Sequence, residues 1–133
     1  DGSIQQVQRG QLSVKAFKCP HVNTRHAAVQ NLAFLIDIND YSILHVGDSH
    51  WPEATSALEN AQLTEASIDV AILPYWMLLD ASSKEYLQQL IRPKRVIATH
   101  IPPDISPQQV EVLRQLHGGI TLLQELNQKI RFE

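Results

Sequence analysis

The sequence predicts an α/β or α+β layered fold with a mixed sheet, built as one domain over residues 1–133. Three observations lead to this prediction. The first part of the chain has the pattern of antiparallel hairpins, and the later part alternates short apolar strands with amphipathic helices. The composition, 44% hydrophobic and 19% charged, is that of a folded protein. Because connections that contain a helix favour parallel neighbours, we expect a sheet that is antiparallel first and parallel later.

The first four strands follow from apolar runs separated by turn residues. The turn at Arg9-Gly10 separates two of them, and Asn39-Asp40 separates the next two. The predicted strands cover residues 4–8, 12–18, 31–38 and 42–46. The third is almost continuously apolar, as a strand buried on both faces would be.

After Gly47-Asp48 the hydrophobic period changes to that of helices alternating with strands. Pro52 suits the first turn of a helix over residues 53–62, Ser82 or Ser83 can cap a helix over 84–91, and Ser106-Pro107 opens a helix that ends near Leu116. Short strands are predicted at residues 69–73, 95–99, 120–123 and 129–132.

Charge and cysteine content exclude several classes of protein. Eleven basic and fourteen acidic residues give a net charge of −3, so we expect no nucleic-acid partner. No apolar run is long enough to span a membrane, and no membrane association is expected. The single cysteine, Cys19, excludes a disulfide scaffold and a cysteine zinc finger. A free thiol favours a cytoplasmic location. With six histidines, any metal ligands should be histidine and carboxylate.

Two strand ends carry polar residues of a kind that sites use. Asp48 follows the strand at 42–46, and His100 follows the strand at 95–99. The carboxyl ends of strands in open α/β sheets are where sites gather, so these two side chains are candidates for one site. Two plainer interpretations stay open. Asp48 can be a turn residue that caps the following helix, and His100 can be structural.

The other histidines are less informative from sequence. His21 and His26 lie in the loop before the strand at 31–38, where their spacing fixes no geometry. His45 and His50 flank Asp48: strand alternation places His45 on the face opposite its neighbours, and His50 is expected near the mouth of the site. We expect His117 to be a cation at a helix C-terminus or a solvated group. Residues 75–79 form either a pocket wall or part of the core.

Four segments in order resemble the metallo-β-lactamase superfamily. They are residues 30–37 (QNLAFLID), 43–48 (ILHVGD), 69–74 (DVAILP) and 96–100 (VIATH), and the resemblance covers roughly residues 12–105. It implies that Asp48 is the catalytic carboxylate that bridges two divalent metal ions, with zinc the first expectation, and that His100 is a ligand of the second ion. His26 would complete the first metal site, with His21 as the alternative. The family uses two ions to activate a water for hydrolysis.

The chain departs from that family in one large respect. The motif His-x-His-x-Asp-His, which supplies four ligands, does not occur in it. The resemblance therefore implies the C-terminal half of an αββα sandwich, with helices on one face of a mixed sheet and without the N-terminal half. We expect a fragment or truncated form of a metal-dependent hydrolase with a small-molecule substrate. We expect it to hydrolyse little alone and to hold an incomplete metal set, or none.

Half a sandwich would leave one sheet face without its cover. The expected partner at that exposed face is the missing N-terminal half or a second copy of the chain. Two other interpretations remain open from sequence. One is a non-catalytic half-fold domain that serves in oligomerisation or ligand binding, and the other is an unrelated flavodoxin-like module. The order of strands in the sheet separates the last from the others.

Overall fold

A computed structural model describes residues 4–22, 25 and 28–131 of the chain, with the side chain of Thr64 left aside. Its centre is one sheet of seven strands that lie in the order of the sequence. They are β1 (Gln5–Arg9), β2 (Leu12–Lys18), β3 (Leu32–Ile38), β4 (Tyr41–His45), β5 (Val70–Pro74), β6 (Arg95–Thr99) and β7 (Thr121–Leu122). Neighbours are antiparallel from β1 to β4 and parallel from β4 to β7. The predicted mixed sheet is confirmed, and this strand order excludes the flavodoxin-like alternative.

The helices lie between the parallel strands. They are α1 (Thr55–Asn60), a 3₁₀ turn (Leu63–Glu65), α2 (Tyr75–Leu79), α3 (Ser83–Tyr86), which continues as a π turn (Leu87–Ile91), and α4 (Pro107–Leu116). α4 begins where predicted, because a capping box forms there: the Ser106 hydroxyl accepts from the Gln109 amide, and Gln109 Oε1 accepts from the Ser106 amide. None of these helices in the described part of the chain is long and apolar enough to cross a membrane.

Three elements differ from the sequence prediction. Helix α1 starts at Thr55 and not near Pro52, because the chain first makes turns in which the Ala54 amide donates to His50 O. Residues 75–79 form a helix that was not predicted. Residues 129–131 form no strand, and the end of that predicted strand lies outside the described residues.

One face of the sheet is buried beneath the helices. Alternate strand residues share this face, and those in the hydrophobic core are Phe17, Ala33, Leu35, Leu44, Ala71, Leu73 and Ala98. The helices contribute Leu58, Met77, Leu78, Leu87 and Leu113 to the same core. The removal of these apolar side chains from water is the main stabilisation of the fold, at about 1.5–3 kcal/mol for each of the larger ones.

The opposite face of the sheet is also apolar, and the helices of the described residues pack into the core on the other side. The large hydrophobic residues Val7, Leu12, Leu32, Ile38 and Tyr41 lie on it with exposed fractions of 38–61%. Partly exposed neighbours complete it: Val14, Phe34, Ile36, Ile43 and Ile72. We call these ten residues the uncovered face. Helices therefore pack on one side only, as predicted.

Candidate functional site

The two predicted site residues at strand ends meet at one edge of the sheet. β4 and β6 are both neighbours of β5 and run parallel to it, so their carboxyl ends face the same way. The chain turns sharply just after each strand through a left-handed residue. These are Gly47, with φ 63°, and His100, with φ 56°. A non-glycine residue in this region is uncommon, and such residues concentrate at functional sites.

The carboxylate of Asp48 lies between two imidazoles. Its Oδ1 is 3.0 Å from His100 Nε2, and its Oδ2 is 3.6 Å from His21 Nε2. The side chain of His21 is 13% exposed, whereas those of Asp48 and His100 are 41% and 43% exposed. The main chain fixes the His21 segment here, because the Val22 amide donates to Asp48 O at 2.7 Å. His26, the predicted first-metal ligand, lies outside the described residues, so its role stays a prediction.

Each pair of Asp48 with one histidine has a spacing that suits two ligands of one divalent ion, but the three residues together do not surround a single ion. Two ligands of one tetrahedral zinc ion lie roughly 3.4 Å apart, since Zn–N and Zn–O bonds are about 2.1 Å long. Each histidine–aspartate pair has about this separation, but on a different carboxylate oxygen. Within the described residues, no group of three or more His, Cys, Asp or Glu is arranged to hold an ion. Asp48 thus contacts one histidine through each carboxylate oxygen.

Trp76, in the segment 75–79 for which the sequence predicted either a pocket wall or part of the core, borders the site. The Trp76 ring lies 5.4 Å from the His100 ring, and its Nε1 donates to Ser49 O at 2.9 Å. Helix α2 thereby connects the loop after β4 with the end of β6. His50, expected near the mouth, has its Nε2 at 3.9 Å from Asp80 Oδ2.

His45 lies on the same face as Phe34 and Ile72, opposite Leu44, as strand alternation predicts. Its Nδ1 accepts a hydrogen bond from the Gly47 amide at 3.0 Å. Burial lowers the pKa of His45, His100 lowers it further, and Asp48 acts in the opposite direction. A neutral His45 ring therefore carries its proton on Nε2, because the bond to Gly47 requires an unprotonated Nδ1.

The prediction for His117 is wrong. It is neither solvated nor a surface cation, but 8% exposed and held beneath the C-terminal end of α4. Its Nε2 lies 2.9 Å from Leu78 O and 3.0 Å from Ser83 Oγ. Burial lowers its pKa, the bond to Leu78 opposes this, and Lys84 adds to the lowering. This histidine connects α2, α3 and α4, and it has no contact with Asp48 in the described structure.

A cavity of about 460 Å³ lies beside His21, between the loop that carries it and the start of α1. Its lining includes Phe17, Cys19, Asn31, Glu53 and Asn60. Neither Asp48 nor His100 lines this cavity, so we do not assign it as a substrate pocket of the Asp48 site.

Comparisons with known proteins show a likeness to a known fold. No family model matches the chain, and no curated protein matches it by sequence. Solved structures do match in shape, among them the following two. One is a metallo-β-lactamase fold protein, YhfI, from Bacillus subtilis, with a TM-score of 0.61 and 12% identity. The other, from Thermotoga maritima, is described as a proposed Zn-dependent hydrolase of the metallo-β-lactamase superfamily, with a TM-score of 0.58 and 16% identity.

Each match covers most of this chain and about half of the other protein. The shares are 90% of this chain and 50% of the Bacillus protein, and 86% of this chain and 56% of the Thermotoga protein. At these identities the likeness concerns the fold alone. The mixed sheet, with its helices on one face, is thus about half of a metallo-β-lactamase fold.

Proposed function

We propose that this chain supplies one half of the site of a metal-dependent hydrolase of the metallo-β-lactamase type. The observation that carries the proposal is the placement of Asp48, whose two carboxylate oxygens face two different histidines, His21 and His100. A carboxylate so placed is suited to bridge two divalent ions. The description of the Thermotoga protein as a proposed Zn-dependent hydrolase is consistent with zinc.

In this proposal Asp48 and His100 would hold one metal ion, and Asp48 and His21 would hold the other. The sequence resemblance predicted His26 for the second of these places, with His21 as the alternative, and His26 lies outside the described residues. When bound, two such ions would activate a water and polarise a carbonyl or phosphoryl group of a small-molecule substrate. The chain's own residues hold and orient: Trp76 lies beside His100, and Asp48 contacts one histidine through each of its carboxylate oxygens.

The remaining ligands would come from outside the described residues. Two ligands at each position are fewer than the three that a catalytic zinc site uses, so we expect little hydrolysis by the chain alone. The uncovered face is where a second half-fold would pack, since an apolar surface of this extent marks an interaction site. We propose that the segment that covers it also delivers the missing ligands. A second copy of the chain is the alternative partner.

Zinc binding to the chain tests the site. We expect equilibrium dialysis to show zinc bound by the wild-type chain and lost in Asp48→Ala, because that change removes both carboxylate contacts. Glu59→Ala is the control: it removes an exposed carboxylate on α1 and should leave zinc binding unchanged. Stoichiometric zinc in Asp48→Ala would contradict the proposal.

The uncovered face favours a second candidate function, a non-catalytic half-fold domain that acts through association. Sedimentation velocity with an apolar dye separates the cases. A dimer that neither binds zinc nor depends on Asp48 favours association alone. A monodisperse monomer that binds no dye would contradict the proposed role of the uncovered face in either function. The cytoplasmic location stays a prediction.

A further inference from the structure

The loops that carry Asp48 and His21 are joined by a single amide side chain. Asn31 immediately precedes β3, and its Nδ2 lies 2.8 Å from Ser49 Oγ, 3.0 Å from Val46 O and 3.2 Å from Cys19 O. Its Oδ1 accepts from the Asp48 amide at 2.9 Å. One of the four partners is the amide of Asp48 itself, and the other three lie within two positions of Asp48 or His21.

The orientation of this amide follows from the chemistry of its neighbours. The Asp48 N–H can only donate, so it must face Oδ1, and the carbonyls of Val46 and Cys19 can only accept, so they must face Nδ2. Two N–H hydrogens are shared among three acceptors. Among side chains of this size, only asparagine has both an acceptor oxygen for the Asp48 amide and an NH₂ group for the carbonyls. Aspartate would place a second oxygen next to the Val46 and Cys19 carbonyl oxygens and would repel them.

Packing around the turn adds a second, independent constraint. A Cβ at Gly47 would overlap Asn31 Oδ1 and come within 2.9 Å of Leu32 O. The turn that presents Asp48 is therefore pressed against the Asn31 amide, which leaves no room for a side chain at Gly47. On the other side, the Cys19 amide donates to Asn31 O at 3.1 Å, so Asn31 holds the start of the His21 segment through main chain and side chain.

We infer that Asn31 is a positioning residue: it holds Asp48 and His21 at the separation that the proposed metal positions require. The inference rests on the proposed function for its purpose, but the contacts are independent of it. The Asn31 side chain bonds to main-chain atoms and the Ser49 hydroxyl, so it acts on the Asp48 carboxylate and on His21 through the two loops that carry them.

The test measures Co²⁺ affinity, read from the visible spectrum of the bound ion, in the full chain. The variants are Asn31→Ala and Asn31→Asp. Ser49→Ala is a milder change that removes one acceptor of the Asn31 amide group. Ser83→Ala is the matched control, because it also removes a buried hydroxyl with hydrogen bonds, to Leu78 O and His117, but lies apart from Asp48. Thermal unfolding of each variant reports the loss of stability.

We expect both Asn31 variants to bind Co²⁺ at least tenfold more weakly than wild type, and Ser49→Ala to be intermediate. Ser83→Ala should lower the unfolding temperature but keep the wild-type affinity and spectrum. If Asn31→Ala does not fold, Ser49→Ala decides. Wild-type Co²⁺ affinity in folded Asn31 variants, or in Ser49→Ala when it alone folds, would overturn the inference.

Amide hydrogen exchange separates this inference from the proposed function. A wild-type chain that binds no Co²⁺ refutes the proposed metal site. In that case the Asp48 amide still tests Asn31: it should be protected in wild type and in Ser83→Ala, and should exchange at least tenfold faster in Asn31→Ala or Ser49→Ala. An unprotected Asp48 amide in the wild-type chain, or equal protection in all variants, overturns the positioning role.

Discussion

Replacement of His117 by glutamine should remove a pH dependence of stability that the wild-type chain has. The imidazole is 8% exposed, and its Nε2 faces Leu78 O, which only accepts, so Nε2 carries a proton. Burial lowers the pKa of the ring, so above its ordinary value of 6.5 the ring is neutral. Glutamine keeps an N–H donor at a similar reach but does not titrate. His117→Ala, in contrast, removes the donor and leaves a cavity. It should cost about 3 kcal/mol, of which about 1 is the hydrogen bond and the rest lost packing.

The sign of the pH effect follows from the lowered pKa of His117 in the folded chain. Above the ordinary value of 6.5, folded and unfolded chains both hold the ring neutral, and its full stabilisation is present. As the pH falls below 6.5, the unfolded chain takes up a proton first, so the folded state loses stability until the pH reaches the lower pKa of the folded chain. One such group changes the free energy of unfolding by at most about 1.4 kcal/mol per pH unit.

Urea unfolding of wild type and His117→Gln at pH values from 7.5 to 5 measures this effect. His45 also has a lowered pKa, but it is present in both proteins and cancels in the difference. We expect the stability advantage of wild type over the variant to shrink steadily below pH 6.5. A difference that stays constant across the range would refute the conclusion that burial holds His117 neutral.

Three further changes test other parts of the structure. Gly47→Ala should lower the free energy of unfolding by more than the roughly 1–2 kcal/mol that alanine costs in a left-handed conformation, because its Cβ also displaces Asn31. Gly10→Ala is the control, since Gly10 has a similar φ and open space around it, and urea unfolding of both variants measures the excess cost at Gly47. Ile36→Glu should leave far-UV circular dichroism unchanged but reduce dye binding and self-association, and equal sedimentation of variant and wild type at high concentration would contradict the role of the uncovered face. Cys19 is 3% exposed and burial raises the pKa of its thiol, so a thiol reagent should label it only slowly until urea unfolds the chain.

The elements that were predicted well are those whose signals are local. Ser106, Pro107 and Gln109 define the start of α4 by capping chemistry alone. α2 was missed because Tyr75–Leu79 is a five-residue helix with no side-chain cap, directly after the proline that ends β5. Its stability comes from tertiary burial of Met77 and Leu78, which no local pattern reports.

The site shows the same division between local and tertiary information. Asp48 and His100 were identified because each follows a strand, and parallel strands bring their ends together. The choice between His21 and His26 was not decidable from a loop, and the structure shows only that His21 reaches Asp48. The apolar pattern predicts Asn31 as the first residue of a strand, yet its side chain bonds to two loops, a role that depends on contacts up to 18 residues away in sequence.

The uncovered face and the proposed division of the metal ligands would have a common geometric origin. Asp48 and His100 stand at the carboxyl edge of β4 and β6, and His45, which shares the face of Phe34 and Ile72, lies at the same edge. In the proposed function, a polypeptide that packs on the uncovered face would reach the edge that carries Asp48 and would supply the missing ligands there. Coverage of the apolar face and completion of the site would then be one event. Burial of the face would supply the free energy, and the ligands that arrive with it would determine where the metal ions lie.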